Sequence, residues 1–129
     1  MNIHSRSLAA PLDYASIEKG IPARVVMDLI KKGTLAREDV FRAIPERTFK
    51  RRLAARGKLK VEEADAIGRI LRVNALAQWA FQDKAEARAF LDLPNPALKN
   101  RIPRAMAQTD AGAREVEALL HRFVYGDHS

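Results

Sequence analysis

The chain has 129 residues, no cysteine, and 23 Lys/Arg against 16 Asp/Glu for a net charge of +7; this length suits one domain with a modest core, or two small helical units sharing one. The lack of cysteine excludes a disulfide framework and a thiolate metal site, and no apolar run approaches the length of a membrane span or a signal-peptide core. The β-branched residues are scattered among Ala, Leu, Arg and Glu without a strand-forming run, so the expectation is an all-α, soluble, cytoplasmic protein.

Residues 1–11 have no period and read as a loose arm. Asp13–Lys19 predicts a short helix stopped at Gly20. Pro22 then opens a helix to about Lys32, with Val25, Val26, Leu29 and Ile30 as its buried stripe and Gly33 as its stop. Thr34 is the expected N-cap of a helix over Ala36–Ile44 whose Val40, Phe41 and Ile44 face inward. Ile44-Pro45 makes a tight turn into the next element, with Pro45 at a first helical position, where its missing N–H is no loss.

The stretch from Arg42 to Lys60 holds eight cations (Arg42, Arg47, Lys50, Arg51, Arg52, Arg56, Lys58, Lys60) against the single acid Glu46. The remainder of the chain is balanced, so this one segment carries the whole net charge and calls for a polyanionic partner. It predicts a helix with Glu46 at the positive dipole end and Gly57 as the left-handed residue past its end. Phe49 and Leu53 share one face, and Arg47 and Arg51, with Thr48 beside them, point the opposite way. A short helix with an apolar anchor and a guanidinium-rich outer face, behind a supporting helix, suits a helix-turn-helix reading the DNA major groove. Arg47, Arg51 and Thr48 would reach base edges. Lys50, Arg52, Arg56, Lys58 and Lys60, with Arg42 on the supporting helix, would sit against phosphates. The plainer reading of the same run is a solvated helix face.

Val61–Phe81 is the longest helical pattern, acidic at its start (Glu62, Glu63, Asp65) and amphipathic through Ala64, Ile67, Ile70 and Leu71. From Ile70 only Arg72, Asn74 and Gln78 interrupt an apolar run, which marks a central helix or a subunit interface. Asp83–Leu93 predicts an amphipathic helix with Ala85, Ala89, Phe90 and Leu93 inward, ended by Pro94-Asn95-Pro96. Pro103–Ala107 reads as one or two helical turns. Thr109 then caps a last helix over about Asp110–Phe123, with Ala113, Val116, Leu120 and Phe123 inward. With no flexible linker, the division expected is a DNA-binding region over 1–60 and a second domain over 61–129, packed together.

Two groups of motifs carry a family resemblance. One is Ile44-Pro45-Glu46-Arg47-Thr48-Phe49-Lys50-Arg51-Arg52, leading into Glu62-Glu63-Ala64-Asp65 and the apolar helix. The other is Leu93-Pro94-Asn95-Pro96-Ala97-Leu98, Arg101-Ile102-Pro103 and Thr109-Asp110-Ala111-Gly112-Ala113-Arg114-Glu115-Val116, ending at Tyr125-Gly126. From about Ala36 onward the chain resembles the Xre/MbcA/ParS-type antitoxins, which pair with RES-domain toxins. It departs from the pattern at Gly68, where a bulky apolar residue is expected, and at Asp127-His128-Ser129, which match no fixed pattern.

The resemblance implies an Xre-like helix-turn-helix that dimerises and represses its own operon, and a C-terminal toxin-binding domain. The partners would be operator DNA and a RES toxin that consumes NAD or transfers its ADP-ribose, with a homodimer as the basic unit and larger hetero-oligomers formed with toxin. It also implies that Tyr125, Gly126, Asp127, His128 and Ser129 lie at the mouth of the toxin's NAD cleft. No catalytic, cofactor or metal site is expected: His4, His121 and His128 lack metal-ligand spacing, and Trp79 and Phe81 read as core. Two other functions fit the same residues. One is a helix-turn-helix regulator whose C-terminal half only oligomerises, and the other is an interaction module whose basic helix binds an acidic protein patch.

Overall fold

The computed structural model describes residues 14–126. The predicted arm and Asp127, His128 and Ser129 lie outside the described residues. The helices are α1 (Tyr14–Lys19), α2 (Ala23–Lys31), α3 (Arg37–Ala43), α4 (Glu46–Ala54), α5 (Val61–Phe81), α6 (Lys84–Asp92), a 3-10 turn (Pro96–Leu98), α7 (Pro103–Met106) and α8 (Asp110–Tyr125). Among the described residues there is no strand, only two isolated β-bridges, so the all-α expectation holds. Two compact units divide between Leu71 and Arg72, inside α5. The first half of α5 places Ala64, Ile67 and Leu71 in one core, and the second half places Val73 and Ala77 in another.

In the first unit, the core gathers Ile21, Ala23, Val26 and Leu29 with Leu35, Val40, Ile44, Phe49 and Leu59. Phe49 is fully buried and sits 5.9 Å from the half-buried Phe41 ring, tilted against it. Burying a ring of this size is worth roughly 2–3 kcal/mol, which makes Phe49 the main anchor of α4. Val25 and Ile30, expected inside, only flank this core, and Ala23 takes the inner position at the start of α2.

Gly33 stops α2 as expected, while Thr34 and Gly57 take other roles than expected for one shared reason. Thr34 does not cap α3: Ala36 does, without a side-chain hydrogen bond. The Thr34 N–H instead donates to Leu29 O at 3.0 Å, and the Gly33 N–H to Ile30 O at 3.0 Å. With Gly33 at φ +80, these two bonds make a Schellman stop for α2. The same motif ends α4 one residue earlier than expected. The Gly57 N–H donates to Arg52 O at 2.7 Å and the Arg56 N–H to Leu53 O at 3.1 Å, so Arg56 (φ +55), not Gly57, occupies the left-handed position. Pro45 is the N-cap of α4 rather than its first helical residue.

In the second unit, α8 packs on α7 and on the 3-10 turn, and α7 on α6. Its core is Val73, Ala77, Ala87, Leu91, Leu98, Ala107, Ala113, Val116, Leu119 and Leu120. On α6 the inward residues are Ala87 and Leu91, with Phe90 half-buried. Ala85 and Ala89 are exposed and Leu93 is 58% exposed, so the expected face was turned about a third of the way round. Alanines report helix orientation poorly because they bury so little area. Asp83 caps α6 by accepting from the Glu86 N–H at 3.0 Å. Thr109 caps α8, as the sequence predicts, accepting from the Gly112 N–H at 3.0 Å.

Gly112 is fixed by close approach. A Cβ there would lie 2.1 Å from the backbone oxygen of Met106, which cannot swing away as a side-chain end could. Gly112→Ala should therefore lower the melting temperature of the second unit. The clash costs about 2–3 kcal/mol and outweighs the ~1 kcal/mol that alanine gains in helix propensity. Arg56→Gly should do the opposite to the first unit. Relief of the left-handed backbone, roughly 1–2 kcal/mol, exceeds the entropy cost of glycine, roughly 0.5–1 kcal/mol, and thermal unfolding should report a gain of a few degrees.

Candidate DNA-binding and partner-binding surfaces

Helix α4 is a cationic element held from beneath by apolar contacts. Phe49 enters the core and Leu53 lies half-buried at its edge, while Arg47, Lys50 and Arg51 are exposed and Thr48 is half-buried. Among the described residues no ion pair forms to Arg47 or Arg51. Two guanidinium groups on one outer face are thus uncommitted to the protein itself, the arrangement that bidentate base or phosphate contact needs. Lys50 differs: its Nζ pairs with Glu46 at 2.9 Å. That hydrogen bond and the Lys50 charge, with a smaller contribution from Arg37, hold the Glu46 carboxyl below its ordinary pKa. The pair is therefore intact at neutral pH and is lost as pH falls through that lowered value.

The other cations of the segment are placed unequally. The Arg52 side chain is only 16% exposed and pairs with Glu63 on the first turn of α5. Glu63 Oε1 also accepts the Lys60 N–H at 2.7 Å, closing the start of that helix. Arg52 thus ties the end of α4 to α5 instead of standing free. Arg42 lies 3.6 Å from the buried Asp39 on the same helix, and half of its side chain stays exposed. Arg56 is exposed at its left-handed position. Lys58 folds back, its Nζ donating to Lys19 O at 3.4 Å at the end of α1. Lys60 is exposed.

In the second unit the prominent surface is aromatic. Phe81, Phe90 and Phe123 form a triangle with ring centroids 5.4, 5.7 and 6.1 Å apart. Beside it, Trp79 lies 5.9 Å from Tyr125, and His121 stacks on Tyr125 at 5.9 Å with 9° between the rings. Phe123, expected inside, is 51% exposed, Tyr125 is 63% exposed and Trp79 38%, while Leu119 takes the inward position on α8. Trp79 therefore does not fill the core, and Phe81 is only half-buried. The periodicity of α8 extends to Phe123, but the core ends one turn sooner. Aromatics left half outside on a small unit are the candidates for a contact surface. Gly126 follows directly, exposed and at φ +73, where the chain leaves the helix axis. The surface is thus continuous with the Tyr125-Gly126 end of the described chain.

Elsewhere in this unit Leu93 is 58% and Ile102 38% exposed, either side of a tight loop. The Asn95 side chain accepts from the Ala97 N–H at 2.9 Å there, and Arg104 pairs with Asp92 at 2.5 Å. Among the described residues no three His, Asp or Glu side chains gather as a metal site would require. No helix of the described residues is long and apolar enough to cross a membrane.

Comparison with known proteins covers both units. A family model for the antitoxin Xre-like helix-turn-helix domain matches residues 14–72. A second, for the antitoxin Xre/MbcA/ParS C-terminal toxin-binding domain, matches residues 76–126. Among curated relatives, an antitoxin Xre of Yersinia enterocolitica is 31% identical over 114 residues, covering 86% of this chain and 77% of the relative. An antitoxin Xre of Photorhabdus laumondii is 29% identical over 93% of this chain and 83% of its own length. One from Pseudomonas putida is 27% identical over 88% and 71%. The exposed arginine helix lies within the first matched region and the aromatic surface within the second, and the chain belongs to the Xre/MbcA/ParS family of antitoxins, with an N-terminal helix-turn-helix domain and a C-terminal toxin-binding domain.

Proposed function

We propose that this antitoxin neutralises a RES-type toxin that consumes NAD or transfers its ADP-ribose, and that it represses its own operon through α4. The reading rests chiefly on one observation: the exposed aromatic surface of Trp79, His121, Phe123 and Tyr125 runs into the Tyr125-Gly126 end of α8. A flat ring at the end of a helix can enter a pocket built for nicotinamide or adenine, and the neighbouring rings exclude water around it. Gly126 lets the backbone approach closely. Asp127 and the residues after it, His128 and Ser129, would extend this contact toward the cationic groups that hold the NAD phosphates.

On the DNA side, α4 lies in the major groove with Arg47 and Arg51 toward base edges and Thr48 beside them. Lys50, once released from Glu46, meets phosphate, and Arg56, Lys58 and Lys60 set affinity and register. Arg52, tied to Glu63, contributes orientation and electrostatic potential more than direct contact. The operator-bound unit is a homodimer, so that two copies of α4 meet two half-sites, and toxin binding builds larger hetero-oligomers on it.

Arg51→Ala should weaken binding to the protein's own promoter by about 5- to 150-fold and relax preference at one base pair, as read by competition gel shift. Lys50→Ala should weaken promoter and random duplex alike. Equal effects of both changes on both duplexes would refute the assignment of base contact to Arg51. For the toxin, truncation before Tyr125 should abolish rescue of growth in co-expression while leaving promoter binding intact. The double change Phe123→Ala/Tyr125→Ala should weaken the complex about 30-fold or more in a binding titration. Full protection by the truncated protein would rule out the covered-cleft reading.

A further inference from the structure

The net positive charge is concentrated within residues 42–60, but the fold adds to it a second segment from more than thirty residues upstream. The chain between α1 and α2 pairs antiparallel with the chain between α4 and α5. Leu59 N–H donates to Ile21 O at 2.8 Å, Ala23 N–H donates to Gly57 O at 2.9 Å, and Pro22 bridges Lys58. One residue beyond the Ala23–Gly57 bond on each side stand Arg24 and Arg56, both exposed. At the other end Lys58 Nζ reaches Lys19 O at 3.4 Å, and its methylenes lie where a Cβ on Gly20 would meet Lys58 Cδ at 2.8 Å. Lys19, Arg24, Arg56, Lys58 and Lys60 are all exposed, and neither 19–24 nor 55–60 contains an acid. The nearest acids in sequence are Glu18 and Asp28 for the first segment and Glu62 and Glu63 for the second. Glu63 is held by Arg52 and the Lys60 N–H, and among the described residues no ion pair joins any of the four to these five cations.

We propose that Lys19 and Arg24 belong to the DNA interface, as part of a cationic strip that holds a run of phosphates beside the groove occupied by α4. The proposal rests on the reading of α4 as the DNA-contacting helix. Like charges brought together across a backbone pairing repel each other, and a polyanion removes that cost. The strip continues the end of α4 through Arg56, the left-handed residue of its Schellman stop. Apart from Val61, the first unit exposes no large apolar residue among those described. An acidic protein partner would need such an anchor at the centre of its contact, whereas phosphates need only charge.

The test uses the full chain carrying Lys19→Gln and Arg24→Gln together, a change confined to exposed side chains that leaves the Lys19 carbonyl in place. Binding to a duplex spanning the region upstream of its own gene, and to a random duplex of equal length, is measured across a salt series. The slope of log K against log salt should flatten by about 1.8, at ~0.9 for each phosphate contact removed. The ratio of specific to random affinity should stay as in the unsubstituted protein, and the melting temperature should not fall, since two mutually repelling charges are removed. The charge-conserving pair Lys19→Arg and Arg24→Lys should restore the slope. If the unsubstituted protein binds and the neutralised variant keeps its slope, the strip is not a phosphate contact while the α4 reading stands. If the unsubstituted protein binds neither duplex, both fall together.

Discussion

A nine-residue helix with Arg47, Lys50, Arg51 and Arg52 on it cannot be stable by itself: it is too short to repay nucleation, and its charges repel. Everything about the first unit follows from how α4 is nonetheless held. Phe49 supplies apolar burial from beneath, and Arg52 is turned against Glu63, which at the same time closes the first turn of α5. The Schellman bonds from Arg56 and Gly57 satisfy carbonyls at its end. One arginine of the helix is thereby made structural, and Arg47 and Arg51 remain uncommitted on the outer face.

The second unit meets the complementary demand, presenting apolar surface without losing its fold. Close approach at Gly112 seats α8 on the turn formed by α7, and small inward residues, Ala113 and Val116, let the helix lie close in the core. The core ends at Leu120, so the last turn of α8 carries its aromatics beyond it. Phe123 and Tyr125 stay half outside but are organised by ring contacts with Phe81, Phe90, Trp79 and His121. Rings fixed in this way lose little conformational entropy when a partner covers them, which is what makes such a patch useful in recognition.

Both surfaces use positive-φ backbone where the chain must change direction. Arg56, and not the adjacent Gly57, takes the left-handed conformation. A cation at that position extends the charged surface past the helix end, at some expense in stability, a pattern associated with functional rather than packing demands.

Much of this was legible in the order of residues. Helix periods, the Thr109 cap, the Gly33 stop and the confinement of charge to one segment depend on neighbours within a turn or two, so local chemistry decides them, and the motifs from Ile44-Pro45-Glu46 to Thr109-Asp110-Ala111-Gly112 suffice to indicate the family. What the sequence left open are the choices among chemically equivalent residues. Which of the three arginines of α4 would be tied to Glu63, whether Phe123 or Leu119 faced inward, and that Lys19 and Arg24 would join Arg56 and Lys58 all depend on segments brought together from far apart in the chain. Periodicity can propose a face, but only the packed partner determines where that face ends, because burial and ion pairing are properties of two surfaces and not of one.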